Sequence, residues 1–129
     1  MFYHFQLYND IDFYINHIHT SAICKEISGG RSGIRFLKGL TGSSRALLFF
    51  SCFQKQHGTH LIILPDRESA AYFHTDLSNA GLDEFLFFFP SSYKRSIVSG
   101  QEDEAGIIMR TKTLHNLTEK TENIIVVSY

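Results

Sequence analysis

The chain has 129 residues and balances 12 Lys/Arg against 13 Asp/Glu for a formal net charge of -1. That length lets a single domain bury a real core, and that balance excludes a global basic field for nucleic-acid capture. No basic stretch followed by an apolar core opens the chain, and the longest apolar run, Ala46 to Phe50, is too short for a bilayer, so a soluble, cytoplasmic domain is expected.

In chain order, Asp10 to Ile27 reads as helical with a break near His19-Thr20, and the glycine-rich run Ser28 to Gly33 ends it. Ile34 to Leu37 reads as the first strand. Ser43 to Gln56 is a helix with apolar residues on nearly every face, as expected of a helix buried on most sides. Leu61 to Leu64 is a continuous apolar strand stopped by Pro65. Asp66 then caps a helix whose inner face is Ala70, Phe73, Leu77 and Ala80 and whose stop is Gly81. Phe85 to Phe89 is a third strand, ended by Pro90. The stretch Ser91 to Asp103 is polar and loop-like. A helix from Glu104 to Thr118 follows, with Ile107, Leu114 and Leu117 expected inward, and Ile124 to Val127 is the fourth strand. Unbroken apolar strands alternating with helices predict an α/β fold whose mainly parallel sheet is covered on both faces. The chain stops at Tyr129, directly after that strand, which reads as a domain excised from a longer protein.

The seven histidines complete no zinc spacing, and His17 and His19, two apart on a helix, are expected to point away from each other. No metal site is expected. Cys24 and Cys52 sit in apolar surroundings without a CxxC spacing and read as buried thiols of a reduced protein, with a pairing left open. Tyr72, Phe73 and His74 occupy successive positions and cannot share one helix face. No Ser/His/Asp or Cys/His arrangement stands out, and no catalytic residue is assigned.

The candidate site is the loop Gly39-Leu40-Thr41-Gly42-Ser43-Ser44-Arg45-Ala46, between the first expected strand and the long apolar helix. Compared with the phosphate loop G-x-x-x-x-G-K-[ST], Gly39 supplies the first glycine, while Ser44, Arg45 and Ala46 replace the second glycine, the lysine and the magnesium-ligating hydroxyl. Ser44 adds a Cβ where backbone would approach phosphate, Arg45 aims a longer planar fork, and Ala46 has no oxygen. Gly39, Thr41, Gly42, Ser43, Ser44 and Arg45 are therefore at most an anion site built on backbone donors. The glycines also admit a plainer reading, a tight strand-to-helix turn.

The ordered set of Leu37 to Leu48, Leu61 to Asp66 with Ala70-Ala71 and Asp76-Leu77, Phe88 to Arg95, Gly100 to Asp103, Arg110-Thr111 with Leu114 and Leu117, and Ile125 to Val127 resembles the N-terminal, UvrB-homologous domain of bacterial transcription-repair coupling factors (Mfd). The resemblance covers about three quarters of the chain, Ile34 to Tyr129, and leaves residues 1–33 as an N-terminal helical segment and glycine-rich connector. It implies a partial UvrB-like, three-layer RecA/helicase-like domain with a degenerate phosphate-binding loop. It further implies that this fragment has no cofactor and is no enzyme, while the full-length protein is an ATP-dependent DNA translocase acting in nucleotide excision repair. The implied partners are UvrA, mainly through an insertion that begins just after Val127, neighbouring domains of the same chain, and RNA polymerase and DNA through other domains; no membrane is implied. Three functions follow for weighing: a non-catalytic scaffold, a nucleotide-binding or hydrolysing domain using Arg45 in place of lysine, and direct DNA binding through Lys94, Arg95, Arg110 and Lys112. The last is the weakest, because a few basic residues beside Glu102, Asp103 and Glu104 usually form a solvated surface.

Overall fold

The computed structural model describes residues 12–30, 32–92, 104–119 and 122–129. The loop expected from Ser91 to Asp103, including Lys94 and Arg95, lies outside them beyond Ser92. The chain forms two compact units, Met1–His57 and Gly58–Tyr129.

In the first unit, residues 12–16 are helical and the chain breaks at His17, two residues before the expected place. His17 is extended (φ -66°, ψ 139°), and its Nδ1 accepts the His19 amide at 3.3 Å, so the imidazole caps the next helix. That helix, α1 (Ile18–Ser28), ends at Gly29. The second helix, α2 (Ser44–Lys55), buries Ala46, Leu48, Phe50, Ser51 and Phe53 and half-buries Leu47, Phe49 and Cys52, as its all-round apolar character predicts. Three polar contacts tie α1 and the segment before it to α2 and its C-terminal cap. The Lys55 ammonium donates to the Ile15 carbonyl at 2.7 Å and reaches Ser21 Oγ at 3.1 Å, and Ser28 Oγ lies 2.8 Å from Gln56 Oε1.

Ile34 to Leu37 forms no strand. The segment has no regular secondary structure, with Ile34 85% and Phe36 86% exposed. A short apolar run is compatible with a strand, but a strand needs a neighbour to bond its backbone.

The second unit is built from β1 (Thr59–Ile63), α3 (Arg67–Asn79), β2 (Leu86–Phe89), α4 (Glu104–Glu119) and β3 (Ile124–Ser128). The three strands form a parallel sheet in the order β1-β3-β2, with Leu61, Val126 and Phe87 in one lateral row. Central β3 is sealed: Ile124, Ile125 and Val127 are fully buried. Asp66 caps α3 as expected, its Oδ1 accepting the Ser69 amide at 2.7 Å, and Ala70, Phe73 and Leu77 face inward. The helix stops before Gly81, whose φ of +89° is the left-handed turn that glycine permits. The path from β1 to β2 steps over β3 and the path from β2 to β3 steps back. Crossovers of one hand therefore put α3 and α4 on opposite faces. The His74 ring, edge-on to Phe88 at 5.5 Å, fixes α3 on the Phe88 face.

Two expectations change here. The sheet is not covered on both faces throughout: Leu61 and Ile63 on edge strand β1 are 65% and 71% exposed, because α4 belongs to the β2–β3 crossover and packs mainly against β2. Moreover, α4 does not turn Ile107, Leu114 and Leu117 inward. It buries Gly106 and Thr113 instead, leaving Ile107 and Leu114 about half exposed. The reason is polar and steric. Thr113 Oγ1 donates to the Met109 carbonyl at 2.8 Å and lies 3.5 Å from the Phe88 carbonyl, while Arg110 reaches the Pro90 and Ser91 carbonyls at 3.4 Å. Small residues bring the helix axis close to β2, and the large ones are left on the outer side.

Candidate functional site

The loop from Gly39 to Ala46 has the backbone of a sharp turn into a helix. Gly39 (φ +83°) and Gly42 (φ +52°) are both left-handed, a conformation that costs a side-chain-bearing residue roughly 1–2 kcal/mol. Without a strand at Ile34 to Leu37, however, the strand–loop–helix setting of a phosphate loop is incomplete, and the plainer turn reading gains ground.

The donors are also partly committed. The Ser44 amide donates to the Thr41 carbonyl at 3.1 Å, and the Ser44 hydroxyl donates to the same oxygen at 2.6 Å. In a working phosphate loop the first amides of the helix point at the ligand. Here Ser44, the residue standing in for the second glycine, closes the loop on itself. Ser43 adopts a helical backbone (φ -69°, ψ -7°) and makes no side-chain cap. Thr41, Gly42, Ser43 and Arg45 are exposed, so the guanidinium projects from the surface. Ala46 is only 2% exposed. The position where a magnesium-ligating hydroxyl would stand is thus an apolar, packed site.

Beside the loop, the first unit holds a cavity of about 560 Å³. Its lining includes Tyr14, His17, His19, Phe36, Lys38 and Leu40, and among the described residues no acidic side chain lines it. Buried Thr20 forms part of its wall. Leu40 connects the cavity to the candidate loop. Sequence reading missed this space because its walls come from separate segments around residues 13–23, 36–40 and 48. It also set His17 and His19 apart. Since His17 is a cap and not a helical residue, the two rings lie with centroids 5.0 Å apart.

Elsewhere the local readings hold: Tyr72 is 66% exposed, Phe73 is buried and His74 is half-buried, so the three do not form one aromatic surface. Burial pushes the His74 imidazole below its ordinary 6.5, partly opposed by the nearby Asp83 carboxylate. Among the described residues no group of three or more His, Cys, Asp or Glu side chains is placed to hold a metal ion, and no helix is long and apolar enough to cross a membrane. Arg110 and Lys112 lie on α4, and Arg110 is directed to the carbonyls after β2.

Compared with known proteins, the chain matches no family model, no curated protein and no solved structure.

Proposed function

We propose that this chain is a non-catalytic, helicase-like scaffold domain of a transcription-repair coupling factor, part of the UvrB-like module that recruits UvrA to a stalled RNA polymerase. The observation carrying the reading is the state of the loop. It keeps two left-handed glycines and a helix start, while Ser44 bonds back to Thr41 and Ala46 is sealed without an oxygen. A loop in that state can position a helix, and position 46 offers Mg²⁺ no side-chain oxygen. The βαβαβ order with a parallel sheet agrees with the α/β part of the reading. In the helicase-like architecture this domain would contribute its sheet and its all-round apolar α2 to contacts with neighbouring domains, and recognition of UvrA would rest mainly on a separate insertion. The test is steady-state phosphate release from MgATP, with and without duplex DNA. The scaffold reading expects no release above background, and co-elution of a coupling-factor module carrying this chain with UvrA would support the family assignment.

A second reading, a nucleotide-binding domain with an atypical loop, is favoured by one observation: the cavity beside Leu40, which joins aromatic walls to the Lys38 ammonium. Such a space suits a flat ring with an anionic group attached. Phosphate release that saturates with ATP and disappears in Arg45→Ala would replace the scaffold reading with this one.

A further inference from the structure

Cys24 on α1 and Cys52 on α2 bring their Sγ atoms to 2.8 Å, across 28 residues of sequence. This is well inside the ordinary contact of two unbonded sulfurs, and under about an ångström from a disulfide bond length. The approach is held by the surrounding structure. Lys55, one turn beyond Cys52, is anchored to Ile15 and Ser21, and Ser28, one turn beyond Cys24, lies 2.8 Å from both the Cys24 carbonyl and Gln56. Both cysteines are free thiols here. We propose that Cys24 and Cys52 form a dithiol–disulfide site, oxidised by a low-molecular-weight disulfide to a bridge that staples α1 to α2.

The accessible partner is Cys52, which is half-buried, whereas Cys24 is 4% exposed. The Cys52 thiolate attacks one sulfur of the small disulfide RSSR, the S–S bond breaks, and the first thiolate leaves and takes up a proton as RSH. Cys24 then loses its proton and attacks Cys52 Sγ. The Cys24–Cys52 bond forms as the second RS⁻ departs and is protonated. Two protein thiols are oxidised and one RSSR is reduced to two RSH, so electrons and protons balance. Burial, then the contact with Cys24, pushes the Cys52 thiol up to about 12, against the pull of the Lys55 cation. The first attack is therefore slow at neutral pH and rises about tenfold per pH unit below that value.

The bridge has a structural consequence independent of the scaffold reading. Gly39 to Arg45 lie between Cys24 and Cys52, so oxidation closes a covalent loop that contains the whole candidate site.

The test equilibrates the whole chain against a ladder of reduced and oxidised glutathione, blocks remaining thiols by alkylation, and maps the products by proteolysis and mass spectrometry. The expected product is a monomer lighter by two hydrogen atoms, with the Cys24 and Cys52 peptides cross-linked. Its formation constant in the native chain should exceed that in urea by about a hundredfold, because the fold already holds the sulfurs together. In Cys24→Ser, glutathione should remain on Cys52 as a stable mixed disulfide; if that variant does not fold, the comparison of native and urea-unfolded wild type decides alone. A persistent mixed disulfide in the wild type, disulfide-linked dimers, or a native constant no larger than the one in urea would overturn the proposal.

Discussion

Replacing Ala46 by threonine restores, on paper, the hydroxyl of a phosphate loop, and the structure predicts that it mainly damages packing. Ala46 is 2% exposed on the inner side of α2. Threonine adds a methyl and a hydroxyl to that sealed position. Overpacking of this kind costs about 1–3 kcal/mol, and the loss of helix propensity adds about half a kcal/mol. The hydroxyl has one local outlet, a bond back to the carbonyl four residues earlier at Gly42, which removes most of its desolvation cost. The net expectation is a loss of about 2–3 kcal/mol, which at a urea slope near 2 kcal/mol/M lowers the midpoint by about 1–1.5 M. Urea titration followed by far-ultraviolet circular dichroism reads this directly. Ala46→Ser should fall between the two, because it adds the hydroxyl without the methyl. Arg45→Lys, one residue away but exposed, should change stability by less than about 0.5 kcal/mol. A midpoint for Ala46→Thr within about 0.3 M of the native chain would refute the reasoning, since only an accessible position 46 tolerates the extra atoms.

Other outcomes follow from the second unit. Leu77 is fully buried on the face of α3 that meets the sheet, so Leu77→Ala should cost about 2–5 kcal/mol in urea unfolding, the range depending on how far the site collapses. His74 binds its proton less readily in the fold than its ordinary 6.5 because burial disfavours the cation. Its contribution to stability is full above that value and is lost as pH falls below it, when the unfolded chain takes up a proton that the native chain refuses. Thermal midpoints should therefore decline as pH drops through 6.5 and below, and His74→Phe should flatten that decline.

The second unit was largely legible in the sequence because its signals are local. Asp66 and Gly81 bracket α3 by capping chemistry, and the apolar runs after it have no helical length to compete with a strand. Side-chain periodicity failed on α4, where Gly106 and Thr113 make the contact: small residues that permit close approach carry no hydrophobic signal, while Ile107 and Leu114 do. Ile34 to Leu37 shows the limit for strands. A short apolar run specifies a strand only when a neighbour completes its hydrogen bonds, and that neighbour is a tertiary fact. At the candidate site, the missing lysine and hydroxyl were readable residue by residue. Self-closure of Ser44 onto Thr41, the sealing of Ala46, the cavity and the 2.8 Å approach of Cys24 and Cys52 were not, because each depends on how separate segments meet.

Calorimetric titration of the native chain with ATP, in the presence and absence of Mg²⁺, tests the central claim most directly. The account predicts no saturable heat up to millimolar nucleotide and no difference on adding Mg²⁺. Micromolar, Mg²⁺-dependent binding would contradict it, and would mean that the loop from Gly39 to Ala46 still works as a phosphate site.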